Sequence, residues 1–329
     1  MVERWLAVSP DRLVSLDPAP TVSHLTIPGL RGSRRVTFPL DRSVGSLYVR
    51  DQRPLSGAWE SPFDPSLWQE LGSARGEVLV PMGKELGLQV SYETSEDLTV
   101  VASLGHGALQ ALSLARTRAT DDSLRRVAQL PLLDLNLAGT GVGDDGVAHL
   151  GGMHMLQTLD LWGTRISDRG AGVVGGFESL RTLDLWGTRV TDAGLRHLAR
   201  LHALTRLYAP GPRVTAAGLA HVGRCSALRA LDVSGARVGP DGLALLGCLQ
   251  ALEVLHLWDS DVTDEALAHL PLLPALGEVD LGRNPITDAG VRHLAAIPSL
   301  RRVHLWDTGV TREGVDRLRM ERPGLYVYV

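Results

Sequence analysis

From residue 109 onward the chain repeats a single unit of 23 or 24 residues, and this repetition constrains the fold more than any single residue does. Leu156-Gln-Thr-Leu-Asp-Leu-Trp-Gly-Thr-Arg-Ile-Ser-Asp-Arg-Gly matches Leu180-Arg-Thr-Leu-Asp-Leu-Trp-Gly-Thr-Arg-Val-Thr-Asp-Ala-Gly position by position. Units open at Leu109, Leu132, Leu156, Leu180, Leu204, Leu228, Leu252, Leu276 and Leu300, and Val327 and Val329 begin a tenth. A unit this short cannot bury its own apolar face, so the units must stack.

Within one unit, Leu180, Leu183 and Leu185 end in a period-two stretch, which predicts a short strand with Leu183 and Leu185 facing in and Thr182, Asp184 and Trp186 facing out. Gly187-Thr188 is a turn signal. Val190 returns inward, and Thr191-Asp192-Ala-Gly-Leu195 supplies an N-cap and a helical turn burying Leu195 and Leu198. Each coil therefore reads strand, turn, short helix, loop.

The pattern resembles the leucine-rich repeat family in its 24-residue bacterial form, Leu-x-x-Leu-x-Leu-x-Gly-Thr-x-Val-Thr-Asp-x-Gly-Leu-x-x-Leu, of the ribonuclease-inhibitor-like or GALA type. The resemblance covers roughly residues 109 to 329. It implies an α/β right-handed solenoid with a concave parallel sheet, short convex helices, a binding surface on the sheet and no catalytic activity. It further implies a ladder of turn side chains along the array at Thr117, Thr140, Thr164, Thr188, Ser260, Asn284 and Thr308, interrupted at Pro212 and Ala236. Pro210 and Pro212 cannot donate backbone hydrogen bonds, so a bulge or shortened strand is expected at Tyr208 to Arg213.

Residues 1 to about 108 do not keep the period, and in the first 85 Val22–Ile27, Arg35–Phe38, Ser46–Val49 and Glu77–Val80 read as short strands among Pro and Gly clusters. This part is expected to be an irregular β-rich cap or small domain, with residues 86 to 329 forming the solenoid and Leu86 to Gly105 a degenerate first coil.

Functional information should lie at the outward strand positions, where the frame does not dictate the residue. Four of the seven tryptophans, Trp162, Trp186, Trp258 and Trp306, fall at one such position, beside the row Asp160, Asp184, Asp232 and Asp280. Tyr208, His256, His304, Tyr326 and Tyr328 complete the candidate partner-binding set. Trp and Tyr dominate interface hot spots, but rings lying over adjacent coils would stabilise the stack instead. Arg165, Arg189, Arg213 and Arg237 recur five residues after the acidic row, either neutralising it across coils or leaving it free to select a basic partner. The edge strand Leu325–Val329 offers a self-association surface.

The net charge of -4, with signs interspersed, gives no support for nucleic-acid binding. No apolar run approaches the ~18 residues that span a bilayer, and the N-terminus lacks a signal-peptide pattern, so a cytoplasmic protein is expected. Cys225 and Cys248 read as small buried residues of a reducing compartment. The helical histidines His149, His197, His221, His269 and His293 read as convex-surface residues, not metal ligands, whereas His256 and His304 are placed for pH-sensitive contacts. Phosphate loops, Gly-x-Ser-x-Gly and His-Glu-x-x-His are absent from the sequence. The expectation is a non-catalytic module without metal or cofactor that binds a protein on the concave face. Alternatives are a substrate-recruiting or sensor subunit of an enzymatic assembly, or an inhibitor or immunity-type scaffold blocking a toxin or nuclease.

Overall fold

The computed structural model describes residues 33–51, 68–93, 98–104 and 107–329. The strand expected at Val22–Ile27 lies outside them. The N-terminal strands are β1 (Ser33–Thr37), β2 (Gly45–Asp51), β3 (Gln69–Ser73), β4 (Glu77–Pro81) and β5 (Lys84–Val90). The repeats contribute β6 (Ala111–Ser113), β7 (Asp134–Asn136), β8 (Thr158–Asp160), β9 (Thr182–Asp184), β10 (Arg206–Tyr208), β11 (Ala230–Asp232), β12 (Val254–His256), β13 (Glu278–Asp280), β14 (Arg302–His304) and β15 (Tyr326–Tyr328). β5 to β15 lie side by side in chain order as a parallel sheet, and β2 and β3 extend it antiparallel beyond β5. β1 and β4 form a separate antiparallel pair. Gly87 pairs with Ala111 in the register that the repeat carries onward, Thr158 to Thr182 to Arg206 to Ala230.

The period places whole rows of side chains in the core between strands and helices. Phe177, Leu201, Cys225, Leu249, Leu273 and Ile297 recur every 24 residues and are all buried. Cys225 therefore occupies a core row, its Sγ–H donating to Leu198 O at 3.3 Å, and burial pushes its thiol up to about 11. Cys248 follows it by 23 residues, one short of the period, and so falls on the exposed row of Arg200 and Arg224. The expectation that both cysteines are buried fails at Cys248 for this reason. Both are free thiols.

The turns after the repeat strands hold a residue in the left-handed region, and the turn after β12 holds a second, Asp261. Gly139, Gly163, Gly187 and Gly235 adopt φ between 65° and 72°, and Arg116, Asp259, Arg283 and Asp307 are held at 53° to 56° in the same place. The threonines beyond them work within their own coils: Thr117, Thr140, Thr164, Thr188 and Thr308 each donate to the carbonyl three residues back. The expected side-chain ladder along the array exists only where the side chain or its position allows it. Asn284 donates to Leu257 O of the preceding coil and accepts from Ser260 N and Val262 N, and Ser260 reaches Val233 O. The threonines of this row instead turn their hydroxyls back to their own coils.

A second ladder, on the helical edge, accounts for the Thr-Asp-x-Gly signature. The aspartate that opens each helix accepts from the N-cap of the next coil through both backbone and hydroxyl: Asp144 from Ser167, Asp168 from Thr191, Asp192 from Thr215, Asp264 from Thr287 and Asp288 from Thr311. The following coil must then bring its helix against that carboxylate. A Cβ on Gly194, Gly218, Gly290 or Gly314 would sit 2.1 to 2.5 Å from the aspartate Oδ1, so the glycine is a packing requirement. Ala216 and then Pro240 stand where the next two rungs need Asp, and Thr263 Oγ1, which would meet the second, is buried without a hydrogen-bond partner.

The N-terminal strands are tied to the array by a buried ion cluster. Arg50 Nη2 lies 2.5 Å from both Glu85 Oε2 on β5 and Asp134 Oδ2 on β7, and its guanidinium stacks 4.2 Å from the Trp68 ring. Asp134, an outward strand position, is thus fully buried.

Candidate functional site

The outward residues of β8 to β15 form three rows on the face of the sheet turned away from the helices. Asp160, Asp184, Tyr208, Asp232, His256, Asp280, His304 and Tyr328 are direct register neighbours along the middle row. Each aspartate has a local role. Asp160, Asp184, Asp232 and Asp280 accept from the backbone N–H two residues on, at 2.8 to 3.0 Å. Asn136 does the same for Ala138 N, so the turn needs an oxygen and not a charge. The charge is therefore additional to what the turn requires.

That charge is costly. Burial, opposed by the Trp162 N–H, raises Asp160 to about 6. Burial, and then repulsion from Asp160 and Asp232, pushes Asp184 further above the carboxylate range. The four arginines considered as neutralising partners are exposed, and no ion pair among the described residues joins them to the row. Arg213 instead donates to Thr188 O.

The tryptophans are placed differently in different coils. Trp162 and Trp186 tilt against each other with centroids 6.1 Å apart and planes at 51°, and Trp186 remains 38% exposed. Trp258 lies down: a Cβ at Gly282 would meet its ring at 2.8 Å, and Arg283 covers it at 4.9 Å. Trp306 Nε1 donates to His304 Nδ1 at 3.3 Å. Thr158 and Thr182, although outward, are buried, because short side chains between neighbours about 4.8 Å away on either side are covered by them.

The C-terminal half of the face is organised differently, around Glu278. Its Oε1 faces His304 Nε2 at 3.6 Å and His256 Nε2 at 3.9 Å, and its Oε2 takes Arg302 at 2.5 Å. Hydrogen bonding to His256 and His304 holds the Glu278 carboxyl well below its ordinary range. Desolvation works to lower His256, but Asp232, Glu278 and Asp280 outweigh it and raise the imidazole to about 9. With Nδ1 accepting from Trp306, His304 turns its Nε2 toward Glu278. Its ring stacks on Tyr328 at 4.5 Å and 10°. Acid and base are internally matched here, whereas Asp160 and Asp184 are not.

Between these halves the array loosens. β10 keeps the same three-residue pairing as its neighbours on both sides, so the expected shortened strand is not found. The break lies in the turn. Arg116, Gly139, Gly163, Gly211, Gly235, Asp259 and Arg283 each donate their N–H to the next coil, but Gly187 N–H has no such partner at Pro210 O. Pro210 has no N–H for an Asp-type turn, Tyr208 has no carboxylate to make one, and Gly211 swings to φ 126°. A cleft of about 340 Å³ opens there, lined by Trp186, Gly187, Val190, Pro210, Pro212 and Val214 among others.

The structure brings Asp160, Trp162, Asp184 and Trp186 together at one end, and Asp232, His256, Asp280, His304, Trp306 and Tyr328 at the other. Tyr326 points outward at 68% exposure, one row away from Tyr328, and Trp258 is half covered by its own array. Glu278 and Arg302 organise the second patch and were not singled out from the sequence. Their signal was the departure from Thr at the first outward position. Cys225, Cys248 and the helical histidines lie off this face.

A Leucine Rich repeat family model matches residues 224–247 and 276–295. That match falls on coils whose strand, turn and helix are now described. The coils have the architecture of a leucine-rich repeat solenoid. Among solved structures, the chain is similar to internalin C2 of Listeria monocytogenes at 25% identity and TM-score 0.47, over 66% of this chain and 84% of that one. A leucine-rich repeat protein of Leptospira interrogans follows at 17% identity and TM-score 0.43, over 67% of this chain and 66% of that one. The plant peptide hormone receptor RGFR1, solved in complex with RGF2, has 17% identity and TM-score 0.44, over 67% of this chain and 35% of that one. No match is found among curated proteins. Among the described residues no helix is long and apolar enough to cross a membrane.

Proposed function

We propose that this leucine-rich repeat solenoid is a non-catalytic interaction module that captures a basic segment of another protein on the concave face of its sheet. The observation that carries the reading is the Asp160–Asp184 pair: two carboxylates on adjacent strands, unpaired with arginine, with ionisation held back by burial and mutual repulsion. A turn that needs only an oxygen is given a charge, and a charge held at a cost to stability points to a use in binding. Trp162 and Trp186 beside it supply rigid apolar area for the same partner. The Glu278 cluster, already neutralised internally, is the weaker contact region and serves by shape and hydrogen bonding through His256, His304 and Trp306.

Titration of the full chain with a blocked hexa-arginine peptide, and with hexa-glutamate as control, tests the reading. Hexa-arginine binds, binding weakens steeply with salt, and the double variant Asp160→Asn/Asp184→Asn weakens it roughly tenfold, about 1.4 kcal/mol. Equal binding of the two peptides, or an unchanged affinity in the double variant, rejects it.

A further inference from the structure

The cleft beside Trp186 is the one place where the inter-coil turn ladder, continuous from Arg116 to Arg283 elsewhere, has lost a rung. Leu185, Trp186, Val190, Leu195, Pro210, Pro212 and Val214 supply its apolar lining, and Thr188 and Arg213 are its polar side chains. The rung that is missing leaves two groups of backbone polarity at the mouth: Gly187 N–H and Pro210 O are without hydrogen-bond partners among the described residues. The Arg213 guanidinium crosses to Thr188 O, so its alkyl stem adds to the apolar lining. At about 340 Å³ the space is roughly twice the ~150 Å³ cavity that holds benzene, enough for one large aliphatic or aromatic side chain with part of its backbone.

The cleft adjoins the acidic pair, since Trp186 is two residues along from Asp184. In an extended peptide, side chains two residues apart on the same side are separated by about 6.6 Å. Charge complementarity supplies the first anchor and the cleft the second. We infer that the Trp186 cleft is a side-chain socket: it takes a large apolar residue of an extended partner segment whose basic residue, two positions away, lies over Asp160 and Asp184. Gly187 N–H and Pro210 O then pair with that segment's backbone, replacing the missing rung.

This socket rests on the acidic-face reading, and the test separates the two. The probes are blocked heptapeptides with Arg-Ser-Phe, Arg-Ser-Ser or Ser-Ser-Phe at their centre, titrated into the full chain. The key variant is Pro210→Trp/Pro212→Thr, which rebuilds the Trp-Gly-Thr turn of the neighbouring coils and closes the rung; a melting temperature at or above that of the parent verifies its fold. The parent chain binds Arg-Ser-Phe roughly ten- to a hundredfold more tightly than Arg-Ser-Ser, the worth of burying one large apolar side chain. The rebuilt variant loses that preference and keeps its dependence on Arg, and Asp160→Asn/Asp184→Asn loses the dependence on Arg. An equal Phe preference in the rebuilt variant, or no Phe preference in the parent, overturns the socket and leaves the acidic face standing. Binding that does not depend on Arg at all overturns both.

Discussion

Asp160→Asn isolates the charge on the open face from the turn it supports. The amide retains an Oδ1 that can accept from Trp162 N–H as Asn136 accepts from Ala138 N–H, so local geometry is preserved while the charge is removed. Asp160 ionises at about 6 in the folded chain against roughly 3.9 when unfolded, so its folded state favours the proton. A group of this kind contributes stability below its unfolded midpoint and loses it as pH rises through the folded one. Two pH units correspond to nearly 3 kcal/mol, and partial exposure reduces this to about 1–3 kcal/mol. Asp160→Asn should therefore stabilise the chain by about 1–3 kcal/mol at pH 8, and the gain should shrink to near zero by pH 4. Urea unfolding at pH 4, 6 and 8 measures it, with Asp160→Ala as the variant that loses the hydrogen bond as well and forfeits about 1 kcal/mol. A gain that does not vary with pH, or a less stable Asn variant at pH 8, refutes the argument that the carboxylate is held at a cost. Asp184→Asn moves in the same direction.

Four further outcomes follow from the packing. Gly218→Ala should destabilise the chain by about 1–3 kcal/mol although Ala is the better helix former, because its Cβ would meet Asp192 Oδ1 at 2.3 Å; an unchanged urea midpoint would show that the coils shift freely. Pro240→Asp should give Thr263 its missing partner and stabilise by about 1 kcal/mol, read in the same assay, and loss of stability would show that the 239–242 turn needs its proline. Arg50→Met should cost about 3–5 kcal/mol by removing the guanidinium that the buried Glu85 and Asp134 share, a cost that Glu85→Gln in the same chain reduces. In native conditions a thiol reagent should modify Cys248 within minutes and Cys225 only on unfolding; equal rates would contradict the one-residue phase difference between them.

The repeat made the fold legible because its period fixes which face of every strand is buried, and Leu183, Leu185, Val190, Leu195 and Leu198 all lie where the unit predicts. The same period, applied strictly, would have placed Cys248 on the surface. Contacts between coils were harder to read. The Asp192 to Thr215 rung joins residues 23 apart, and nothing in a single unit distinguishes an N-cap companion from an inter-coil acceptor until the next coil is stacked on it. On the open face the rows were readable from the repeat and their pairing was not: Glu278 stands between two histidines only because β12, β13 and β14 are adjacent, and Arg50 reaches Asp134 only because β2 joins the sheet through β5.

The loosened middle also changes how the molecule behaves as a mechanical object. A solenoid is a one-dimensional chain of nearest-neighbour couplings, so its cooperativity is limited by its weakest junction. Three of the usual couplings fail within a short stretch: the turn rung between Gly187 and Pro210, and the edge rungs that Ala216 and Pro240 cannot offer the coils after them. Heat or force applied to such a chain divides it there, into a block ending near Thr188 and a block beginning near Thr263, each still internally laddered. A ligand lying along the open face from Asp184 to His256 would bridge the division from the opposite side and fuse the blocks into one cooperative unit, so that occupancy is registered as stiffness far from the point of contact.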